Sequence, residues 1–424
     1  MSEPPKPRNR RALLYLSPHV SDHPQTGLAV ALRRTIFRPR PMTALPRIYL
    51  DHNATTPVDP AVCAAMADCL GRCFGNPSSV HAEGQEARRA LDQARVQVAT
   101  LIGAAAEEII FTSGGTEADN CAIFGTVEGW AGQRRHVVTS AIEHRAVLEP
   151  CRHLAQQGCS LTVVGVDALG RVQPAAIVDA LREDSALVSV MLANNDVGTV
   201  QDVAAIAEAA HARGALVHSD AIQAAGKIPL DVKKIGVDLL SLSAHKLYGP
   251  KGAGALWVRR GVALAPLMRG GRQENRLRAG TENLPALVGF GVACEIAGRR
   301  QEADAAHGRA LRDRFEQRVL AALPTTRIHG DPDRRLPHTS NLGFPGLDAG
   351  RLVIALDLAG VAASTGAACS AADREPSYVL LAMGCGADVA RSSLRFSFGR
   401  GNTLEEADRA AELLRQTITS LRKT

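Results

Sequence analysis

Short apolar runs and longer Ala-rich stretches alternate from residue 60 to about residue 300. The runs at 109–111, 136–139, 161–166, 187–192, 215–218, 239–242 and 255–258 are short and bounded by turn residues, as buried strands are. The stretches between them, such as 203–212, are helical in composition. This alternation predicts a mostly parallel sheet covered by helices, an α/β fold. In such sheets ligands sit at the carboxyl ends of the strands, and the polar residues of this chain fall there. Past about residue 305 the rhythm changes, with a helix near 310–323 and then strands and helices in a new arrangement. The pattern predicts a large domain over 46–304, its first strand-like segment at 47–50 being able to join the smaller part. A smaller C-terminal α+β domain is expected over 305–424. There is no internal repeat, and no apolar stretch approaches the length of a membrane span.

Residues 1–45 stand apart as an Arg- and Pro-rich extension. Residues 1–41 hold eight Lys/Arg against two Asp/Glu, which accounts for the whole formal charge of +6. The rest of the chain is balanced, so its composition excludes a nucleic-acid-binding reading of the basic surplus. The extension, expected to be disordered, reads as a targeting peptide, a basic interaction tail or a mis-set start, with Met42 standing just before the first strand. Nine cysteines occur, at 63, 69, 73, 121, 151, 159, 294, 369 and 385, with no CxxC pair. A structural zinc site is not expected, and reduced thiols in a cytoplasmic protein are.

The chemistry gathers around Lys246. It follows the apolar run at 239–242 and precedes a Gly/Pro-rich turn, a placement that suits an amine kept out of water to form a Schiff base. Pyridoxal 5'-phosphate (PLP) needs such a lysine, an acid at its pyridine nitrogen, a phosphate cradle and a stacking group. Thr112-Ser113-Gly114-Gly115-Thr116-Glu117 reads as strand, glycine turn and helix start, where backbone amides bind phosphate. Asp220 ends a strand and would keep the pyridine nitrogen protonated, making the ring an electron sink. Gln223, one turn on, would reach the ring's phenolic oxygen. His144 would stack on the ring and assist proton transfer, and Asn195 would meet the ring oxygen or a substrate carboxylate. Each has a plain structural reading by itself: a turn, a helix cap, a core histidine. Their joint occurrence at strand ends favours the cofactor.

Taken together, the segments carry a resemblance. Tyr49-Leu50-Asp51-His52-Asn53-Ala54-Thr55-Thr56-Pro57, Phe74-Gly75-Asn76-Pro77-Ser78-Ser79-Val80-His81, the glycine turn, Glu143-His144, Asn194-Asn195-Asp196-Val197-Gly198 and Asp220-Ala221-Ile222-Gln223 come first. Ser243-Ala244-His245-Lys246, Arg278-Ala279-Gly280-Thr281-Glu282-Asn283, Ala368-Cys369-Ser370, Glu375-Pro376-Ser377-Tyr378 and Leu394-Arg395-Phe396-Ser397 follow. In this order they resemble the cysteine desulfurases of the NifS/IscS type, within the class V aminotransferases. The resemblance implies PLP fold type I, aspartate-aminotransferase-like. It implies that Lys246 holds PLP, Asp220 pairs with the pyridine nitrogen, His144 stacks, and Gln223 and Asn195 contact ring substituents. Gly115, Thr116, Ser243 and His245 would bind the phosphate. Thr281 would reach the phosphate of a neighbouring subunit, so a homodimer is implied. Arg395, helped by Asn195, would grip the carboxylate of L-cysteine with its planar fork.

Cys369 lies in a run of small residues that packs weakly, which predicts a mobile loop whose thiol visits the cofactor and then an acceptor. The implied reaction yields L-alanine and a persulfide on Cys369. The acceptor would be an iron–sulfur scaffold protein or another thio-cofactor route, and Cys369 would be a transient iron–sulfur ligand. Three departures stand out. Asp196 replaces the family's usual Glu, Arg272 and Asn275 alter the pattern before Arg278, and the chain stops at Thr424 without the long tail of housekeeping members. An aminotransferase, a selenocysteine lyase and a non-catalytic sulfur-relay subunit are the competing readings.

Overall fold

The computed structural model describes residues 47–365 and 376–423. It opens on strand β1 (Ile48–Tyr49). Seven strands then form the main sheet: β2 (Ile109–Thr112), β3 (His136–Ser140), β4 (Ser160–Val164), β5 (Ser185–Ser189), β6 (Leu216–Asp220), β7 (Leu239–Ser243) and β8 (Gly254–Val258). Each run predicted as a strand overlaps one of them. Their order is β2-β8-β7-β6-β5-β3-β4. The pairings among β3 to β7 are parallel, and β8 is antiparallel to both of its neighbours, β2 and β7.

Both faces of this sheet are covered, which is why its strands read as largely apolar runs. On one face Ile109, Phe111, Val188, Val217, Leu240 and Leu242 pack with Leu91 and Val98 of the helix Ala82–Leu101 and with Phe290. On the other, Ile110, Val137, Leu187, Leu239 and Leu256 pack with Ile123 of the helix Gly115–Gly129 and Val147 of the helix Arg145–Gln156. Adjacent residues such as Ile109 and Ile110 serve opposite cores, the period of two that a strand imposes. Gly254 has a specific role at the sheet edge. A Cβ there would lie 2.6 Å from the backbone of Gly114, so β8 and the turn before the Gly115 helix touch main chain to main chain.

A second core lies beyond. Strands β9 (Arg327–His329), β10 (Thr339–Gly343), β11 (Val361–Ala362) and β12 (Ser393–Ser397) follow. A three-stranded antiparallel sheet runs β12-β10-β9, and β1 pairs in parallel with β11. Ile48, Leu50, Phe315, Leu342, Phe396, Phe398 and Leu414 fill this core. The helix expected near 310–323 is the last part of a 39-residue helix, Leu284–Ala322, roughly 58 Å long at 1.5 Å per residue. Its first half buries Leu287, Phe290 and Cys294 in the first core and its last half buries Leu311, Phe315 and Val319 in the second. Between residues 298 and 307 few apolar positions recur, so the sequence pattern lapses there although the helix does not. Among the described residues, no helix is long and apolar enough to cross a membrane.

Candidate active site

The parallel strands point their carboxyl ends to one edge, and the polar residues collect there. Asp220 is the last residue of β6 and Ser243 the last of β7, with Asp220 in register with Ser241. One 3-10 turn, Ala244–Lys246, then delivers Lys246. Its Nζ donates to the carbonyls of Asn53 (2.5 Å) and Ala54 (2.8 Å). The carbonyl of Asn53 also accepts from Gln223 Nε2 at 2.9 Å, while Lys227 Nζ donates to Gln223 Oε1 at 3.0 Å. The side chain of Asn53 donates to the Asn195 carbonyl (3.1 Å) and to Thr339 Oγ1 (3.0 Å), and its Oδ1 meets His338 Nε2 (2.9 Å). Its amide donates to Ser397 Oγ at 2.9 Å. Asn53, itself buried, thus ties Lys246, Gln223 and Asn195 to strands β10 and β12.

Arg395 projects from β12 into the same cluster. It donates through Nη1 to the Asn195 carbonyl at 3.0 Å and through Nη2 to Asp51 Oδ1 at 2.7 Å. His144 caps the Arg145 helix, its Nδ1 accepting the Ala146 amide at 3.1 Å. That bond places the ring proton on Nε2. Thr116 and His144 line a common cleft. His245 Nδ1 meets Thr55 Oγ1 at 3.1 Å.

Burial sets the charge states. It raises Asp220 to about 6, with the Ile222 amide and the Lys246 charge pulling the other way. It lowers His144 to about 4, helped by the charges of Lys246 and Arg145, so this ring is neutral at pH 7. His245 falls to about 4 for the same reason, with Lys246 the next contributor. Lys227 is pushed down to about 7 by burial and then by Lys246 and Arg395. Beneath these lie acids that the sequence reading did not single out. Glu143 is raised to about 8 by burial, although its Oε1 accepts from Ser140 Oγ (2.5 Å) and the Met191 amide (2.9 Å). Asp119 is raised well above the carboxylate range by burial and by the neighbouring Asp220 charge.

Local structure fits a phosphorylated pyridine ring. The Gly115 helix begins at Gly114 with no side-chain cap, so the amides of its first turn are open to an anion. Ser243 Oγ and Asn195 Oδ1 are buried without a hydrogen-bond partner, which is costly unless a ligand completes them. An acid at Asp220 and an amine at Lys246 complete the donor set that PLP requires. Gln223 differs from expectation in one respect: both ends of its amide are already engaged, by Asn53 and Lys227.

One predicted residue is not joined to this cluster. Thr281 is exposed in the loop ahead of the Leu284 helix, a loop tied to the Gly115 helix by Arg278 Nε on Glu117 Oε1 at 2.8 Å. Cys369 lies outside the described residues. Among those described, no group of three His, Cys, Asp or Glu side chains is placed to hold a metal ion. The residues that sequence reasoning missed are Asp51 and Asn53. The polar triplet Asp51-His52-Asn53, set between an apolar strand and Thr55-Thr56-Pro57, is the signal that marks them. Gly399 lets this triplet seat, since a Cβ there would come within 2.4 Å of three atoms of the His52 ring.

The aminotransferase class-V family model matches residues 48–410. A cysteine desulfurase of Gluconacetobacter diazotrophicus is 46% identical over 378 residues, 89% of this chain and 94% of that protein. A solved NifS-like protein superposes with a TM-score of 0.83 at 36% identity, covering 88% of this chain and 100% of that one. The structure of SspA in complex with cysteine gives a TM-score of 0.73 at 34% identity, covering 84% of this chain and 100% of that one.

Proposed function

The chain belongs to the class-V aminotransferase family, and from that premise we propose that it is a PLP-dependent cysteine desulfurase. One observation carries the reading. Lys246 and the buried Asp220 stand at the ends of adjacent strands beside an uncapped helix N-terminus, in a chain closely similar to a cysteine desulfurase along most of its length. Bound PLP supplies an electron sink that labilises bonds at the substrate's Cα and Cβ.

In this reading residues 46–304 carry the cofactor and 305–424 carry the Cys369 segment. Lys246 would hold the cofactor through its Nζ, and that amine, once free, would take the proton from the substrate's Cα. Asp220 would pair as a carboxylate with the pyridine nitrogen and would keep the ring protonated. The amides of Gly115 and Thr116, Ser243 Oγ and His245 would hold the phosphate, with Thr281 serving the site of a second copy in a homodimer. Neutral His144 would stack on the ring, and Asn195 and Gln223 would meet its substituents, Gln223 by exchanging its bonds to Asn53 and Lys227. Arg395 orients L-cysteine by its carboxylate, assisted by Asn195. The Cys369 thiolate attacks the substrate sulfur, whose bond to Cβ breaks. Atoms balance as L-cysteine plus the Cys369 thiol giving L-alanine plus the Cys369 persulfide. The outer sulfur passes by a second thiol attack to an acceptor such as an iron–sulfur scaffold protein, in the cytoplasm. Transient iron–sulfur ligation by Cys369 is consistent with that hand-over.

Mass spectrometry after incubation with L-cysteine and no reductant tests the proposal. One added sulfur on the Cys369 peptide, lost in Lys246→Ala, is the expected result. A plain thiol at Cys369 in cofactor-loaded protein would refute it.

A further inference from the structure

Arg395 meets an internal carboxylate before any substrate arrives. Its side chain is only 2% exposed and that of Asp51 19%. Nη2 bonds Asp51 Oδ1 at 2.7 Å, Nη1 bonds the Asn195 carbonyl at 3.0 Å, and the buried Nε has no partner. Asp51 is fixed by its backbone. It bridges Ser397, two residues along β12 from Arg395, and its carbonyl accepts Tyr49 Oη at 3.0 Å. Among the described residues, Asp196 also feels the Arg395 charge, and its two oxygens are taken by Asn341 Nδ2 (2.8 Å) and Ser377 Oγ (2.6 Å). Asp51 is therefore the acid in direct contact with the guanidinium.

We propose that Asp51 is a specificity-determining counter-ion that competes with the substrate carboxylate for Arg395 and so sets how weakly the enzyme holds its amino acid. The proposal rests on Arg395 being the carboxylate receptor. A buried guanidinium left alone is costly, so the empty site needs an anion. A strut could be neutral, as the Asn195 carbonyl on Nη1 is. A charged strut places two carboxylates around one guanidinium once substrate binds, and their mutual repulsion weakens the hold on substrate. Neutral ligands escape that penalty.

Titration of the PLP-loaded protein with L-alanine and with L-alaninamide, followed by the absorbance change of the bound cofactor, reads this directly. Asp51→Asn keeps an acceptor for Nη2 and removes the charge. It is expected to tighten L-alanine on the order of tenfold and to leave L-alaninamide within about twofold of the parent. Asp51→Glu, which keeps the charge, should retain the parental difference between the two ligands. If Asp51→Asn does not hold the cofactor, Asp51→Ser reads the same quantity with the same expected sign. Unchanged or weaker L-alanine binding in the uncharged variants overturns the proposal. Arg395→Gln separates the underlying assumption. It should weaken L-alanine and spare L-alaninamide, and equal effects on both would remove Arg395 as the carboxylate receptor, whatever Asp51 does.

Discussion

Replacing Asn53 by Ala tests whether one side chain joins the lysine cluster to the second core. The variant keeps the carbonyl that accepts from Lys246 and Gln223 and loses the bonds to the Asn195 carbonyl, Thr339 Oγ1 and His338 Nε2. The Asn195 carbonyl retains Arg395 as a donor. His338 Nε2 loses its described partner, and Thr339 Oγ1 loses both of its bonds to Asn53. Three net bonds at about 0.5–1 kcal/mol each, with part of a desolvation penalty for the stranded groups, give about 2–4 kcal/mol. If that energy is local, amide exchange in peptides covering 336–343 and 190–197 accelerates by roughly 30- to 700-fold. Hydrogen-exchange mass spectrometry on cofactor-loaded protein measures it, with the peptide at 160–164, on the far edge strand β4, as control. Exchange within about threefold of the parent in both test peptides would show that Asn53 does not couple the two cores.

Other expectations follow from the same contacts. Glu143 has a folded value near 8 against an ordinary 4.5, raised by burial, so the folded state binds its proton more tightly than the unfolded state. Its contribution is fully present below pH 4.5 and is lost as pH rises through 8. The parent should therefore lose stability relative to Glu143→Gln across that window in thermal unfolding, and a constant difference would contradict the assignment. Gly254→Ala drives a methyl into the Gly114 backbone. It should cost about 1–3 kcal/mol and loosen PLP retention on gel filtration. Cys369→Ala should keep the absorbance change on adding L-cysteine and abolish sulfur transfer, so normal turnover in that variant would sink the persulfide route.

The strands were legible because both faces of the main sheet are buried, leaving short runs such as 239–242 in which only Ser241 is polar. Their direction was not, since an apolar run reads alike both ways, and β8 proves antiparallel. Lys246, Asp220 and Asn195 could be picked out as polar residues placed where strands end. Asn53 is marked by the polar triplet it closes, but its task is not, because its partners Asn195, His338 and Thr339 lie 142, 285 and 286 residues away. Gln223 shows the limit of positional reasoning. Its place three residues past Asp220 is plain in the sequence, but nothing local reveals that Lys227 and Asn53 hold its amide.

The long helix has a consequence for dissecting the protein. Leu284–Ala322 contributes Phe290 to one core and Phe315 to the other, and β1, near the opposite end of the chain, lends Ile48 to the second core. A cut after residue 304 therefore yields two fragments, neither holding a complete set of core residues. The upstream piece keeps Ile48 and Leu50 with nothing to cover them, and the downstream piece lacks the strand that pairs with β11. Expressed separately, such halves are expected to aggregate or to fold only on mixing, which makes the chain a natural candidate for a split reporter.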